Sequence, residues 1–245
     1  MSSPAIGLPP ARFSAQNRSR ALQAEIMELI LERDLKAGDP LPTENELAQA
    51  LGIGRNTLRE ALKVLQALGV VEIRHGFGMF VAPRNFDALA DGLTFRGRLS
   101  LRHEGQEALQ LVDVRQALEA GLIGEAMDLI TPEHLDEIEA TVRQMESLAE
   151  DGEVFTSVDE HFHFQLFEPL DNELLSNLMS VFWKVYSKIH TELGGDPLID
   201  LVETAAIHRA IFEAVKAGDK ALASERLKRH FDGIRSELSK LRDAS

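Results

Sequence analysis

Apolar and polar residues alternate at helical spacing in residues 41–68, where the pattern predicts two short helices joined by a tight turn. Thr43 and Glu46 have the spacing of a capping box, so the first helix begins near Thr43. Gly52 supplies the left-handed conformation that ends this helix. The apolar positions of the helix are Leu47, Ala48 and Leu51.

The second helix is predicted from about residue 55 to residue 68, and its two faces differ strongly. One face is apolar: Leu58, Ala61, Leu62, Leu65 and Leu68. The other face is polar: Arg55, Asn56, Arg59 and Lys63. Two helices joined by so short a turn predict a helix-turn-helix, a motif whose second helix enters the major groove of DNA.

The flanking segments complete a small domain over residues 15–82. An amphipathic helix is marked by Leu22, Ile26, Leu29 and Ile30. Two apolar runs at residues 70–73 and 79–81, separated by two glycines, predict a two-stranded hairpin, or wing. Residues 1–14 are rich in Pro, Ser and Ala and are predicted to be disordered.

The remainder of the chain predicts helices only. Residues 83–103 have scattered apolar positions and are predicted to be a linker that holds one short helix at most. Six helices follow in residues 104–242, separated by Gly, Pro and capping residues: 104–130, 132–149, 153–168, 172–193, 198–217 and 219–242. We therefore predict a mostly α protein, with an N-terminal winged helix-turn-helix of three helices and a two-stranded wing, followed by an all-helical antiparallel bundle.

Composition and charge limit where such a protein acts. The 245 residues include no cysteine, which excludes disulfides and thiolate metal sites. No apolar run approaches the roughly 18 residues of a membrane helix, so we expect no membrane partner and a cytoplasmic location. Residues 1–84 carry 10 Lys and Arg against 9 Asp and Glu, whereas residues 85–245 carry 16 against 31. The acidic bundle would repel DNA and confine binding to the N-terminal domain.

Four side chains in the predicted bundle have the spacing of a metal site. Asp159 and His163 are four residues apart, hence on one helical face. His208 and His230 are nearly equidistant from the predicted turn at residues 218–219. If those two helices fold back on each other, both imidazoles lie roughly 15–17 Å from the turn and face one another. Three histidines and one aspartate would bind a divalent ion through N and O atoms.

Arg115 is a candidate ligand-binding residue within the bundle. Its helical neighbours are apolar, so the guanidinium group is expected to point inward, where it needs an anion. Glu119, four residues later, is one candidate partner. A carboxylate effector that also binds the metal is the other, and the sequence leaves both open.

The run over residues 41–81 resembles the winged helix-turn-helix of GntR-type bacterial transcription regulators. The resemblance implies that Arg55 and Arg59 contact operator bases or phosphates and that Gly76, at the wing tip, enters the minor groove. Asn45 stands where many relatives have arginine, which changes the base contact available there. The other side chains expected at the DNA are Asn56, Thr57 and His75.

The motif Asp159-Glu160-His161-Phe162-His163, followed by Asn172, His208 and His230, is similar to the metal-binding FCD effector domain of the FadR-like branch of that family. The resemblance implies that Asp159 and the histidines at 163, 208 and 230 bind zinc, nickel or a similar ion. We expect zinc, with nickel or manganese as alternatives.

These patterns together predict a ligand-responsive DNA-binding transcriptional regulator, a repressor, that acts as a homodimer on a pseudo-palindromic operator. Its effector would be a small organic acid or sugar acid that bridges the metal and Arg115. One alternative is a metal-dependent enzyme acting on a small organic acid. A general base is missing for this alternative, because no further acidic residue has a spacing that places it beside the four ligands. The other is a helical binding protein whose first domain no longer binds DNA.

Overall fold

The computed structural model describes residues 11–83, 86–101, 106–192 and 200–243, which form ten α-helices and one two-stranded sheet. The first elements are α1 (Ala11–Glu32), α2 (Glu44–Ala50), α3 (Arg55–Ala67), β1 (Val71–Arg74) and β2 (Gly78–Val81). The later helices are α4 (Asp87–Leu101), α5 (Gln106–Met127), α6 (Pro132–Glu150), α7 (Thr156–Phe167), α8 (Glu173–Glu192), α9 (Leu201–Lys216) and α10 (Lys220–Asp243). The chain divides between Ala88 and Leu89 into two compact units.

The N-terminal unit contains the predicted winged helix-turn-helix. The backbone amide of Thr43 donates to Glu46 Oε2 at 2.8 Å and the amide of Glu46 donates to Thr43 Oγ1 at 3.3 Å, which is the reciprocal capping box expected at the start of α2. Gly52 follows the end of α2 and has the predicted left-handed conformation, with a φ of +63°. The core joins α1, α2, α3 and the sheet, and its fully buried side chains include Ile26, Leu47, Leu58, Leu62 and Leu65.

The wing is an antiparallel pair in which Val71 lies opposite Val81 and Arg74 lies opposite Gly78. Gly76 and Gly78 at its tip have φ values of +81° and +114°, a region that favours glycine. The side of β2 that does not pair with β1 forms hydrogen bonds with the loop after α1. The amide of Leu41, for example, donates to the Met79 carbonyl at 2.8 Å. The wing is thus fixed to the helical part of the unit.

The start of α1 differs from the prediction. Residues 1–10 of the segment predicted to be disordered lie outside the described residues, but the helix begins at Ala11, so residues 11–14 are helical. The sequence ARFSAQNR has no Gly or Pro and includes good helix formers, which let the helix extend well before its first core side chain, Leu22.

The segment predicted to be a linker holds a 15-residue helix, α4. Its buried face consists of small or polar residues at helical spacing, Ala90, Thr94 and Gly97, and this face carries little hydrophobic signal. Gly97 lets α4 approach α8 closely, because a Cβ at this position would lie 2.9 Å from Ile189 Cδ1. Nearly all of helix α4 is therefore a packed part of the second unit and is not a free linker.

The second unit is the predicted helical bundle. The six helices from α5 to α10 are each within three residues of their predicted bounds. Helix α5 packs on α10, α6 packs on α7 and α9, and α9 packs on α10. The fully buried side chains of the core include Ile123, Ile138, Met145, Phe162, Leu166 and Phe212. No helix in the described part of the chain has both the length and the apolar character needed to cross a bilayer.

Candidate functional site

Three helices bring the four predicted metal ligands together inside the bundle. Helix α7 presents Asp159 and His163, α9 presents His208, and α10 presents His230. One ligand atom from each of the four lies within 4.8 Å of the others. The three imidazoles are buried, and the rings of His208 and His230 lie 4.7 Å apart between centroids, as expected from their similar distance to the α9–α10 turn.

The contacts inside this cluster join nitrogen and oxygen atoms that point at a common centre. His163 Nε2 lies 3.2 Å from His230 Nε2 and 3.3 Å from Asp159 Oδ1. His208 Nε2 lies 2.9 Å from the same Asp159 oxygen. Three Nε2 atoms and one carboxylate oxygen thus form a compact N/O donor set.

Two neighbouring groups orient the histidines. His208 Nδ1 lies 2.8 Å from the Thr204 carbonyl, an acceptor that requires the proton on Nδ1 and leaves Nε2 free to bind. His163 Nδ1 lies 2.6 Å from Glu119 Oε2, which fixes that ring in the same way. Hydrogen bonds from the second ring nitrogen to a carboxylate or carbonyl are typical of metal-binding histidines.

The shifted pKa values of Asp159 and His230 suit a bound cation, whereas His163 would have to give up its proton to one. Burial alone would raise the pKa of Asp159, but interactions with His208 and His163 outweigh it, and the pKa lies well below its usual value. Burial and repulsion from His208 and His163 hold the pKa of His230 well below its usual value, so its imidazole is neutral at pH 7. Burial also opposes the charge on His163, yet Glu119 raises the pKa of His163. A lone pair and an ionised carboxylate therefore face the centre.

The donor set fits a divalent ion of the zinc type. Zinc binds imidazole nitrogen and carboxylate oxygen at about 2.0–2.2 Å, so its ligand atoms lie at most about 4.4 Å apart. The four ligand atoms lie within 4.8 Å of one another, so they would have to move inward by at least a few tenths of an ångström around the ion. Three histidines and one carboxylate also leave room in the coordination shell for oxygen atoms of another molecule.

Arg115 points into the bundle, as its apolar neighbours predict, with 4% of its surface exposed. Of the two partners that the sequence leaves open, the structure shows Glu119: Arg115 Nε donates to Glu119 Oε1 at 2.6 Å. The guanidinium group also stacks on Trp183, with its Cζ atom 4.2 Å from the ring centroid. Arg115 Nη2 and Trp183 Nε1 are buried without a hydrogen-bond partner among the described residues.

Glu119 overturns one step of the sequence reasoning, because an acidic residue does lie beside the four ligands. Its contact with Arg115 could be predicted, because the two residues are four positions apart on one helix. Its contact with His163 could not, because the two residues are 44 positions apart in the sequence. Its two oxygens are engaged by Arg115 and His163. Burial would raise the pKa of Glu119, but the charges of Arg115 and His163 lower it below its usual value, which makes it a poor general base.

The remaining residues of the resemblance lie outside the cluster. Asn172 accepts the amide of Leu175 at 3.1 Å and so caps α8. His161 is exposed on another face of α7, as its spacing predicts. The sequence did not indicate the contacts of Arg115 with Trp183 and Phe231, because both aromatic residues lie in apolar stripes that are compatible with any core position.

The predicted DNA contacts are all exposed in the N-terminal unit. They comprise Asn45 on α2, Arg55, Asn56, Thr57 and Arg59 in the first turns of α3, and His75 and Gly76 at the wing tip. The opposite face of α3 is buried in the core. Helix α3 therefore presents a polar surface at the end of the helix that meets bases in helix-turn-helix proteins.

Two of the arginines in this unit already have partners. Arg59 Nε donates to Glu44 Oε2 at 2.7 Å, which links α3 to α2, and the arginine side chain remains 59% exposed. Arg74 forms two hydrogen bonds with Glu72, of 3.0 and 2.8 Å, and lies over the ring of Phe80. Arg55 is also exposed, and within the described part of the chain it has no such partner.

Two family models match the chain, one in each unit. Residues 18–81 match the model described as bacterial regulatory proteins, gntR family. Residues 110–233, about half of the chain, match the FCD domain model. The first match covers the winged helix-turn-helix and the second covers all four candidate metal ligands, Arg115 and Glu119.

Curated relatives match the chain over most of their length and most of its own. The chain is similar to the HTH-type transcriptional regulator LutR of Bacillus subtilis (strain 168), with 28% identity over 215 residues that cover 86% of this chain and 96% of the relative. It is 27% identical to the putative L-lactate dehydrogenase operon regulatory protein of Escherichia coli (strain K12), over 94% of this chain and 88% of the relative.

A solved structure has the same fold. The structure described as Streptococcus agalactiae GntR superposes with a TM-score of 0.61 and 23% identity, covering 89% of this chain and 99% of the other. The matched domains and relatives indicate a DNA-binding regulator rather than an enzyme. The chain belongs to the GntR family of bacterial regulatory proteins, and its second domain is an FCD domain.

Proposed function

We propose that this chain is a repressor that binds a pseudo-palindromic operator as a homodimer and responds to a small organic-acid or sugar-acid effector. Residues 15–82 form the DNA-binding domain, and residues 104–242 form the domain that binds metal and effector. One observation supports the response to a ligand. Ligand atoms of three histidines and one aspartate lie within 4.8 Å of one another, and a nearby buried arginine has a nitrogen without a partner among the described residues.

The metal is a divalent ion, zinc first, with nickel and manganese as alternatives, held by Asp159, His163, His208 and His230. When bound, the ion supplies a positive centre that accepts carboxylate oxygens. Arg115 supplies a second cationic group, and its Nη2 atom is buried without a hydrogen-bond partner among the described residues. A carboxylate is the ligand that suits both groups.

The effector acts by favouring one arrangement of the FCD helices over another. It can change operator affinity only by the ratio of its affinities for the two arrangements, and a tenfold change in operator affinity requires about 1.4 kcal/mol of such preference. The relative named for an L-lactate dehydrogenase operon supports a small carboxylate as the chemical class.

A mobility-shift titration tests this proposal. The full-length protein first selects its operator from a random DNA pool, and affinity for that operator is then measured with a panel of small acids at saturating zinc. We expect at least one acid to change the operator affinity about tenfold or more. Unchanged affinity with every acid of the panel would contradict the proposal.

Arg115→Lys should abolish most of the acid response. Lysine keeps a cation beside Glu119, so the fold is preserved, but it lacks the second guanidinium nitrogen that would hold the acid. We expect the acid concentration for half-maximal response to rise about tenfold or more, with unchanged operator affinity in the absence of acid. An unaltered acid response in the lysine variant would rule out Arg115 as the effector contact.

Glu119→Gln should weaken metal binding by about 10- to 100-fold, the range typical of groups that orient metal-binding histidines. Glutamine keeps the size of the side chain but removes the charge that lies 2.6 Å from His163 Nδ1. Competition with a chromophoric chelator measures the affinity. Glu125→Gln, an exposed position on the same helix, is the matched control and should bind metal like the wild type.

A further inference from the structure

A small apolar cavity of about 40 Å³ lies between α5, α8 and α10. Its walls include Leu111, Val112, Phe182, Val185, Phe231 and Ile234. Arg115 is the only charged residue among the described side chains that line it. Since a water molecule needs about 10–15 Å³ by this measure, the cavity has room for about three water-sized groups.

Arg115 lines one side of the cavity, and it and its neighbour Trp183 each have a buried hydrogen-bond donor to spare. Arg115 uses its Nε atom for Glu119, and its Nη2 atom has no partner among the described residues. Trp183 stacks on the same guanidinium group and has a buried indole N–H that is also unpartnered. Two buried donors on stacked side chains are unfavourable unless a ligand accepts from them.

The rest of the cavity cannot satisfy a polar ligand. Apart from Arg115, the described residues that line it are hydrocarbon side chains and Tyr186, which has an interaction of its own. A hydroxyl group placed among these side chains would lose its hydrogen bonds to water and gain none. A methyl or methylene group would gain the hydrophobic contribution of its burial.

We propose that the effector is a short monocarboxylate with an apolar tail. Its carboxylate accepts a hydrogen bond from Arg115 Nη2, and its tail of two to four carbon atoms fills the cavity between α5, α8 and α10. This inference rests on the proposed function, since it takes Arg115 as the effector contact, and it narrows the effector from organic and sugar acids in general to unsubstituted alkanoates. Polyhydroxy acids are excluded by the hydrocarbon walls.

The cavity makes a quantitative prediction for a series of simple acids. Acetate, propionate and butyrate are titrated into zinc-loaded full-length protein, beside 3-hydroxypropionate and 3-hydroxybutyrate, which carry a hydroxyl group in the tail. Trp183 is the only tryptophan of the chain and stacks on Arg115, so its fluorescence reports occupancy, with calorimetry as the second measurement. We expect affinity to rise about fourfold for each methylene from acetate to butyrate. Each hydroxy acid should bind about tenfold or more weakly than the alkanoate of the same length.

Filling the cavity should remove the gain in affinity that a longer tail gives, without affecting the binding of the carboxylate. Ala108 lines the cavity and is 4% exposed, so Ala108→Leu places three carbon atoms where the tail would lie. Butyrate should then bind no more tightly than acetate, while acetate binding stays within about threefold of the wild type. Ala117→Leu makes the same change at an exposed position of α5 and should keep the gain. If Ala108→Leu does not fold, Val112→Leu gives the same test with a smaller change in volume.

The results separate this inference from the proposed function. Hydroxy acids that bind as tightly as alkanoates, or an intact methylene gain in both cavity variants, would overturn the apolar tail. If those hydroxy acids also change operator affinity, the proposed function stands and only the apolar tail is ruled out. If alkanoates bind in the expected order but no acid affects the operator, the tail is supported and the regulatory proposal fails. An absence of binding by every acid contradicts both.

Discussion

Replacing His230 by alanine should weaken metal binding by at least about 100-fold, or about 2.7 kcal/mol. His230 is the cleanest of the four candidate ligands to remove, because its pKa is held well below the usual value and its neutral ring carries no buried ion pair. Its loss removes one of four donors and leaves the contacts of His163 with Glu119 and of His208 with Thr204 intact. A competition assay with a chelator gives the affinity, and mass spectrometry gives the metal content.

Metal-dependent stability provides a second measurement of the same change. An ion that binds only the folded protein stabilises it by about 4 kcal/mol at a concentration 1,000 times its Kd. A variant with 100-fold weaker binding gains only about 1.4 kcal/mol at that concentration. The thermal midpoint of the wild type should therefore rise strongly with added zinc, and that of His230→Ala should rise much less.

His161→Ala is the matched control for the metal prediction. His161 lies two residues before His163 on α7, but it is exposed and outside the cluster, so the substitution removes an imidazole without touching a candidate ligand. Metal affinity and the zinc-dependent midpoint should equal those of the wild type. Wild-type metal affinity in His230→Ala would show that the cluster is a hydrogen-bonded core and not a metal site.

The sequence predicted the bundle well because its helix boundaries are marked by local chemistry. Thr131 caps α6 and is followed by a proline at the first helical position, and Gly218 has the left-handed conformation that ends α9. Such signals act within a few residues of the boundary, so they need no tertiary information. Helix α4 lacked them, and its buried face of Ala90, Thr94 and Gly97 resembled a linker in composition.

The candidate metal site was also accessible to sequence reasoning, because its geometry follows from helix periodicity. Asp159 and His163 share a face, and His208 and His230 are placed at one height by the short α9–α10 turn. The contacts of Arg115 were harder to foresee. Its helical neighbour Glu119 was visible, but the approach of His163 and Trp183 depends on how α5 packs against α7 and α8, which no local pattern encodes.

Arg55→Ala and Arg59→Ala should each lower operator affinity by about 5- to 150-fold, which corresponds to about 1–3 kcal/mol. Both side chains are exposed in the first turns of α3, on the face opposite the core. Arg59 must exchange its contact with Glu44 for one with DNA, but an exposed ion pair contributes at most about 1 kcal/mol, so this exchange is favourable. Arg55 has no such contact to break and should show the larger loss.

The salt dependence of binding then tells which arginine contacts phosphate. Each phosphate contact that is lost reduces the slope of log affinity against log salt by about 1, whereas a lost base contact relaxes sequence preference. Arg143→Ala removes the same charge from an exposed position of α6 in the acidic FCD domain and controls for the change in net charge. Wild-type affinity and slope in both Arg55→Ala and Arg59→Ala would mean that the winged domain is a scaffold, because a near-neutral unit in a strongly acidic chain has little other means of attracting DNA than the guanidinium groups of α3.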